Sequence, residues 1–324
     1  MASIRLIPKV PQQIKEAAKR EDLVVFFGAG VSRIIGCPDW YGFAKAYVDH
    51  LLEHDLINHF EKEQLLKKDP RMTLTICQKI IDETKISPPD SSEILKGDEE
   101  KIKQLKIYDE LYKMGAIFVT TNFDKHMDDV INKNQPIQPS QPEAADLSDA
   151  ENATDRISTP KMIFHAEEDI LITTLKKGNL VHIHGSIDEP DNLVITLPDY
   201  IRKYQDGTNH HVLLQEIFNK KTVLFMGYGL EEYDIIEFLV KKSNTAENEI
   251  RHYMLQGAFV EEGNMMELYG KYYSTLGIEL IPYSKTKRGF EQLIPVIKRW
   301  AKEIGTVAAT KPYIEKRELI NEID

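Results

Sequence analysis

The sequence predicts an α/β fold with a doubly wound parallel sheet. Six short apolar runs alternate with helix-spaced segments. Several runs are unbroken rather than alternating, the pattern of strands buried on both faces of a parallel sheet. Three of them lead directly into polar motifs: Gly28-Ala29-Gly30-Val31-Ser32, Thr120-Thr121-Asn122-Phe123-Asp124 and His184-Gly185. Three strand ends would then gather polar groups at one rim, where open α/β sheets bind ligands.

The first helix is expected over 13–19 and the first strand over 23–27. A helix over 43–53 opens an interval reaching residue 114 that is too long for a simple crossover. Its Leu51, Leu52, Leu56, Ile57, Phe60, Leu65 and Leu66 suit a small helical subdomain inserted beside the sheet. Strands follow over 116–120, 180–183, 222–226, 252–260 and 277–283, and a closing helix over 290–302. Residues 135–160 hold four prolines among Asp, Ser, Asn and Gln, which suits a mobile surface loop, with a lid or partner-binding segment as the alternative. The main domain is expected over 1–305, with the insertion near 43–114, followed by a charged tail over 306–324.

Composition narrows the function classes. A chain of 324 residues with 42% hydrophobic content can bury a large core. The net charge of −11 and the lack of a dense Lys/Arg tract argue against direct nucleic-acid binding or life on an anionic membrane. Residues 1–20 carry charges throughout, and no stretch approaches the roughly 20 apolar residues of a membrane span. Neither a signal peptide nor an anchor is expected, and a reducing, cytoplasmic setting suits a chain with only Cys37 and Cys77. Two cysteines cannot build a four-thiolate zinc ribbon.

Taken alone, Gly28 and Gly30 mark a tight strand-to-helix turn, or a turn whose backbone closely approaches a diphosphate at a helix N-terminus. No third glycine follows Gly28 and Gly30 at the spacing of the dinucleotide fingerprint of hydride-transfer enzymes, which disfavours a conventional dehydrogenase. Asn122 reads either as a polar group for catalysis or as the N-cap of a helix starting near Phe123. His182 and His184 share a strand face, so a metal pair is conceivable, yet no third ligand stands at a recognisable spacing. Asp124 suits a structural bond to Ser32 as well as a ligand contact. His210 and His211 are expected to be exposed on a polar turn after Gly207, and Glu231, Glu232 and Asp234 at the start of a helix, favoured by its dipole.

The stretch from Gly28 through Gly36-Cys37-Pro38-Asp39-Trp40 resembles the sirtuin superfamily, which carries Gly-Ala-Gly-x-Ser followed at this spacing by Gly-x-Pro-Asp and an aromatic residue. Thr120, Asn122 and Asp124 match the sirtuin Thr-Gln-Asn-x-Asp motif, with Thr121 replacing the glutamine. His184-Gly185 matches the catalytic His-Gly, and Gly227-Tyr228-Gly229-Leu230 is similar to the late Gly-Thr-Ser segment that contacts the nucleotide. The four blocks run in family order. No cysteine follows Cys77, so the zinc ribbon of protein-deacetylating sirtuins is not expected. The stretches 187–200 and 225–234 instead resemble the sirtuin-like domains of prokaryotic antiphage defence proteins.

The resemblance implies a Rossmann-like domain without a zinc ribbon that hydrolyses NAD+, its substrate, to nicotinamide and ADP-ribose, with no metal. It assigns catalysis to Asn122 and His184, and nucleotide binding to Gly28, Ala29, Gly30, Ser32, Asp39, Trp40, Thr120, Asp124, Gly227 and Gly229. Asp39 would face the carboxamide and Trp40 would enclose the leaving base, while Tyr41 stands where deacetylases usually have arginine. It further implies an activity held low until a trigger arrives, and a homo-oligomer or a separately encoded partner or activator, such as an ATPase, a short Argonaute or a phage protein. An NAD-dependent protein deacylase and a non-catalytic NAD or ADP-ribose sensor are the alternative functions.

Overall fold

The apolar runs pair into a single sheet. The computed structural model describes residues 4–135, 161–229, 233–243 and 252–308. Among these, β1 Leu23–Phe27, β2 Ile117–Thr120, β3 Ile163–His165, β4 Leu180–His182, β5 Thr222–Met226, β6 His252–Ala258 and β7 Ile278–Ser284 lie in the order β3-β4-β2-β1-β5-β6-β7. Every pairing is parallel. β3 was not anticipated, because three half-buried edge residues carry no readable periodicity. The loop expected over 135–160 and the tail expected over 306–324 lie outside the described residues, apart from residue 135 and residues 306–308. So do Leu230, Glu231 and Glu232.

The helices are α1 Gln12–Lys19, α2 Ala29–Ser32, α3 Trp40–Glu53, α4 His59–Leu65, α5 Pro70–Thr84, α6 Ser91–Leu95, α7 Glu99–Leu105, α8 Ile107–Tyr112, α9 His126–Asn134, α10 Leu197–Tyr204, α11 Asn209–Lys220, α12 Tyr233–Ser243, α13 Gly263–Ser274 and α14 Leu293–Ala308. Alternate residues of each central strand point to opposite faces. Leu23, Val25, Phe27 and Phe118 pack with Ile14, Leu111, Ile131 and Trp300 from α1, α8, α9 and α14. Val24, Phe26, Val119 and Val181 pack with Tyr200, Leu214, Phe218 and Leu239 from α10, α11 and α12. Both faces are thus covered, as all-parallel sheets require.

A third core joins α3 and α5 through Phe43, Val48, Leu51, Leu74 and Cys77, and it extends to Phe123, Leu193 and Ile195. Phe123 follows β2, and the other two follow β4. The apolar stripe of α3 and α5 therefore fastens the helical layer to the loops at the carboxyl ends of the strands. Those ends are in register: Phe27 pairs with both Thr120 and Met226, and Thr120 pairs with His182. Strand order reverses between β1 and β5, so a crevice opens at the rim there.

Candidate functional site

The floor of that crevice is two loops packed backbone to backbone. Gly28 N–H donates to the Met226 carbonyl at 3.1 Å, and Gly30 N–H to the Gly227 carbonyl at 2.7 Å. A Cβ on Gly30 would lie 2.7 Å from that same carbonyl oxygen, so no larger residue fits without moving backbone. Gly227 adopts φ +56°, and a Cβ there would lie 2.6 Å from the Val31 nitrogen. These contacts explain the glycines as the means of bringing β1 and β5 loops together.

A hydrogen-bond network rises from this floor. The Thr120 hydroxyl donates to the Phe27 carbonyl and accepts from Asn122 N–H, both at 3.0 Å, which fixes the turn after β2. Asn122 Nδ2 donates to Ser32 Oγ at 2.8 Å, and Ser32 Oγ donates to Asp124 Oδ2 at 2.7 Å. The Tyr108 hydroxyl lies 2.7 Å from Ser32 Oγ and 3.4 Å from Asp124 Oδ1. Ser32 has spent its one proton on Asp124, so it accepts from Asn122 and Tyr108. Burial, and next the Asp124 charge, hold the Tyr108 hydroxyl well above its ordinary pKa, so it stays a neutral donor. Asn122 is not a helix cap: α9 starts four residues later at His126, and the side chain turns back to Ser32.

Cys37 stands beside the network, donating to the Leu95 carbonyl at 3.2 Å and lying 3.4 Å from His126 Nε2. Burial, then Asp124, pushes its pKa up to about 12, so the thiol is not a nucleophile.

His184 follows β4 just before Gly185, which turns at φ +83°. Its Nε2 lies 2.7 Å from the Tyr204 hydroxyl, and the Tyr200 ring meets it edge-on at 5.1 Å. Burial, then His210, Arg71 and Lys203, holds His184 well below the usual histidine range, so it is neutral near pH 7. His210 corrects the sequence expectation. It is 2% exposed, with its ring 4.4 Å from that of Tyr204, and burial first and then Lys203 lower its pKa to about 3. Thr208 caps α11 by accepting from His211 N–H at 3.1 Å, and a helix starting there turns His210 inward. His211 is half-buried, 3.3 Å from Asp206 Oδ1.

His182 is no metal ligand in this arrangement. Its Nδ1 lies 3.2 Å from the Asn122 carbonyl, and its Nε2 lies 3.1 Å from both Asp128 oxygens. Burial lowers its proton affinity, but the Asp128 hydrogen bond and charge outweigh burial and raise it above the usual value. Among the described residues no three His, Cys, Asp or Glu side chains converge as metal ligands would.

The network and His184 open onto a cavity of about 340 Å³. Of the residues named from the sequence, Ala29, Gly30, Ser32, Asp39, Trp40, Asn122, Asp124, His184 and Gly229 line it. Gly28, Thr120 and Gly227 stand behind its wall. Asp39 caps α3, accepting from Gly42 N–H at 2.9 Å, and its other oxygen lies 3.3 Å from Arg33. Trp40 stacks parallel to Phe43 at 5.9 Å, with Phe123 tilted against it at 5.8 Å.

Arg33, Asp69, Arg71 and Tyr200, to which the sequence assigned no role, also face the cavity, as does Tyr228 of the late glycine segment. Arg71 lies over the Tyr200 ring at 5.0 Å. Two local signals mark these positions without revealing their role. Asp69-Pro70 reads as an N-cap followed by a first-turn proline, which places Arg71 in the first turn of α5. Tyr200 and Tyr204 are four apart on α10, sharing one face. Two guanidinium groups suit an anionic diphosphate, and the aromatic wall with Asp39, Asp69 and Asp124 suits a flat cationic ring.

Comparison with known proteins agrees with this geometry. The family described as SIR2-like domain matches residues 116–281, about half of the chain. Defense-associated sirtuin 2 of Bacillus subtilis is 23% identical over 229 residues, covering 69% of this chain and 19% of that protein. The chain thus spans about a fifth of the length of the curated relative it matches.

Proposed function

Because this chain belongs to the SIR2-like domain family, which uses NAD+, we propose that it hydrolyses NAD+ at the nicotinamide–ribose bond, releasing nicotinamide and ADP-ribose. The observation that carries the reading is the convergence of Asn122 and His184, from the ends of β2 and β4, on one cavity walled by the Gly30 turn.

The bond from ribose C1′ to nicotinamide already has a cationic leaving group. Its cleavage passes through an oxocarbenium-like state that needs positioning and electrostatic help more than a strong nucleophile. Asn122, held by Ser32, orients the ribose and the attacking water. His184, neutral and buried, accepts a hydrogen bond or proton from the water or a ribose hydroxyl. The Gly30 turn and Arg33 receive the diphosphate, and Trp40 encloses the leaving base. The carboxylates of Asp39 and Asp124 favour the developing positive charge.

The likeness to Defense-associated sirtuin 2 supports placing this reaction in antiphage defence, and the role proposed there is to drain NAD+ and so arrest the infected cell. Such an enzyme is toxic when always active. We therefore assign it a low basal rate, released by a phage-derived or cellular trigger or by assembly with a partner or further copies.

The test is incubation of purified protein at high concentration with NAD+, with nicotinamide and ADP-ribose quantified by chromatography beside Asn122→Ala and His184→Ala. Turnover abolished in both variants supports the reading. Turnover that requires an acylated peptide, or saturable NAD+ binding with no turnover even in phage-infected lysate, overturns it.

A further inference from the structure

His182 carries no role in the chemistry above, yet it is 1% exposed and touches the segment that carries Asn122. Every partner of its ring nitrogens is an acceptor. Nδ1 faces the backbone carbonyl of Asn122 at 3.2 Å, and Nε2 faces both oxygens of Asp128, itself 5% exposed, at 3.1 Å. A carbonyl and a carboxylate have no proton to give, and a neutral imidazole has one N–H. With one proton, one contact would set lone pair against lone pair in a buried site. Only the imidazolium satisfies both.

We propose that His182 is a positioning residue: a buried imidazolium that clamps the Asn122 backbone to α9 through Asp128 and so sets where the Asn122 side chain meets the ribose and water.

The surroundings agree from each side. Asp128 faces the ring from α9, and Asp124 adds negative charge from the loop after β2. The His165 ring from β3 stacks on it at 5.6 Å, with Glu189 4.0 Å beyond. Lys125, near Asp128, is engaged with Asp188 at 2.7 Å. The clamp spans three elements, since His182 ends β4, Asn122 follows β2 and Asp128 lies in the first turn of α9. Losing the imidazolium proton frees the Asn122 carbonyl or the carboxylate, so the Asn122 backbone loses its tie to β4 and α9 while its N–H bond to the Thr120 hydroxyl remains. Displacement of a positioning group by about an ångström costs on the order of a hundredfold in rate.

The clamp rests on the reading of Asn122 as the group that positions water and ribose, so its test has an arm independent of NAD+ turnover. In the full chain labelled with ¹⁵N and ¹³C at histidine and asparagine, the His182 ring and the Asn122 carbonyl are each assigned through correlations to their own backbone. The expected spectrum at pH 7 has both nitrogens protonated, with the Asn122 carbonyl carbon shifting in step with His182 as pH rises. A singly protonated His182 at pH 7, or an Asn122 carbonyl that ignores its titration, overturns the clamp whether or not NAD+ is cleaved. In kinetics, Asp128→Asn is expected to lower kcat about 10–100-fold with KM for NAD+ changed less than about threefold, and to move the alkaline limb of the rate profile to lower pH. An alkaline limb that stays in place in folded Asp128→Asn protein also overturns it.

Discussion

Asn122 and Ser32 are 90 residues apart in the chain, yet the Asn122 amide donates to the Ser32 hydroxyl at 2.8 Å, joining the β1 and β2 motifs into one unit. Ser32 donates its own hydrogen bond to Asp124, so the Asn122 side chain is held by a hydroxyl whose acceptor face is turned toward it. The position of Asn122 thus depends on groups from two strands.

Ser32→Ala is therefore expected to act on catalysis and on stability together. It removes the acceptor for Asn122 and leaves Asp124 short of a donor in a buried setting, a loss of about 1–3 kcal/mol. Urea denaturation should show that loss, and NAD+ turnover should fall about tenfold or more at unchanged protein concentration. A variant with full turnover would separate Ser32 from the placement of Asn122.

Tyr204→Phe keeps the ring that packs on His210 and removes the hydroxyl 2.7 Å from His184 Nε2. The imidazole loses an orienting bond without losing its packing. The expected result is a kcat lowered about tenfold with little change in KM, the pattern of a group that acts in the transition state. Steady-state kinetics over a range of NAD+ concentrations checks it, and equal loss through KM would contradict it.

Gly30→Ala tests the floor of the cavity. Its methyl would lie 2.7 Å from the Gly227 carbonyl oxygen, so two backbone segments must part. Overpacking of this kind costs about 1–3 kcal/mol. NAD+ affinity measured by calorimetry should fall by tenfold or more, while circular dichroism keeps its native shape. Unchanged affinity would place the diphosphate elsewhere.

The histidines set opposite pH slopes. His210 has its pKa lowered to about 3, and unfolded histidine titrates near 6.5. Between those values the unfolded chain binds a proton that the native protein refuses, so His210 makes stability fall as pH drops below about 6.5. His184 acts in the same direction. His182, with its raised pKa, contributes stability below about 6.5 that is lost as pH rises through its native value. In His210→Phe the difference in unfolding free energy from the parent should change by about 1.4 kcal/mol per pH unit between pH 6 and 5. Urea titrations at several pH values measure it, and a pH-independent difference would mean that His210 is protonated in the native state.

How much of this was legible in the sequence depended on the range of the interaction. The unbroken runs at 23–27 and 222–226 correspond to β1 and β5 residue for residue, because burial on both faces leaves a local mark. The glycines, Asn122 and His184 stand out because each follows a strand end. β3 left too few residues to show a period, and Arg71 and Tyr204 sit in helices whose sequence speaks only of capping and packing. His210 departs from its sequence expectation because Gly207 and Thr208 signal a turn, whereas inward rotation depends on what α11 packs against.

The sequence by itself determined the parallel α/β class, the strands that carry the polar motifs and the family those motifs point to, since periodicity and motif spacing are written along the chain. Only the tertiary structure decided which of two histidines, two residues apart, has its proton affinity raised and which has it lowered. His182 meets a carboxylate and a carbonyl, whereas His184 meets a tyrosine hydroxyl and a second buried histidine, and proton affinity follows the neighbours in space rather than those in the chain.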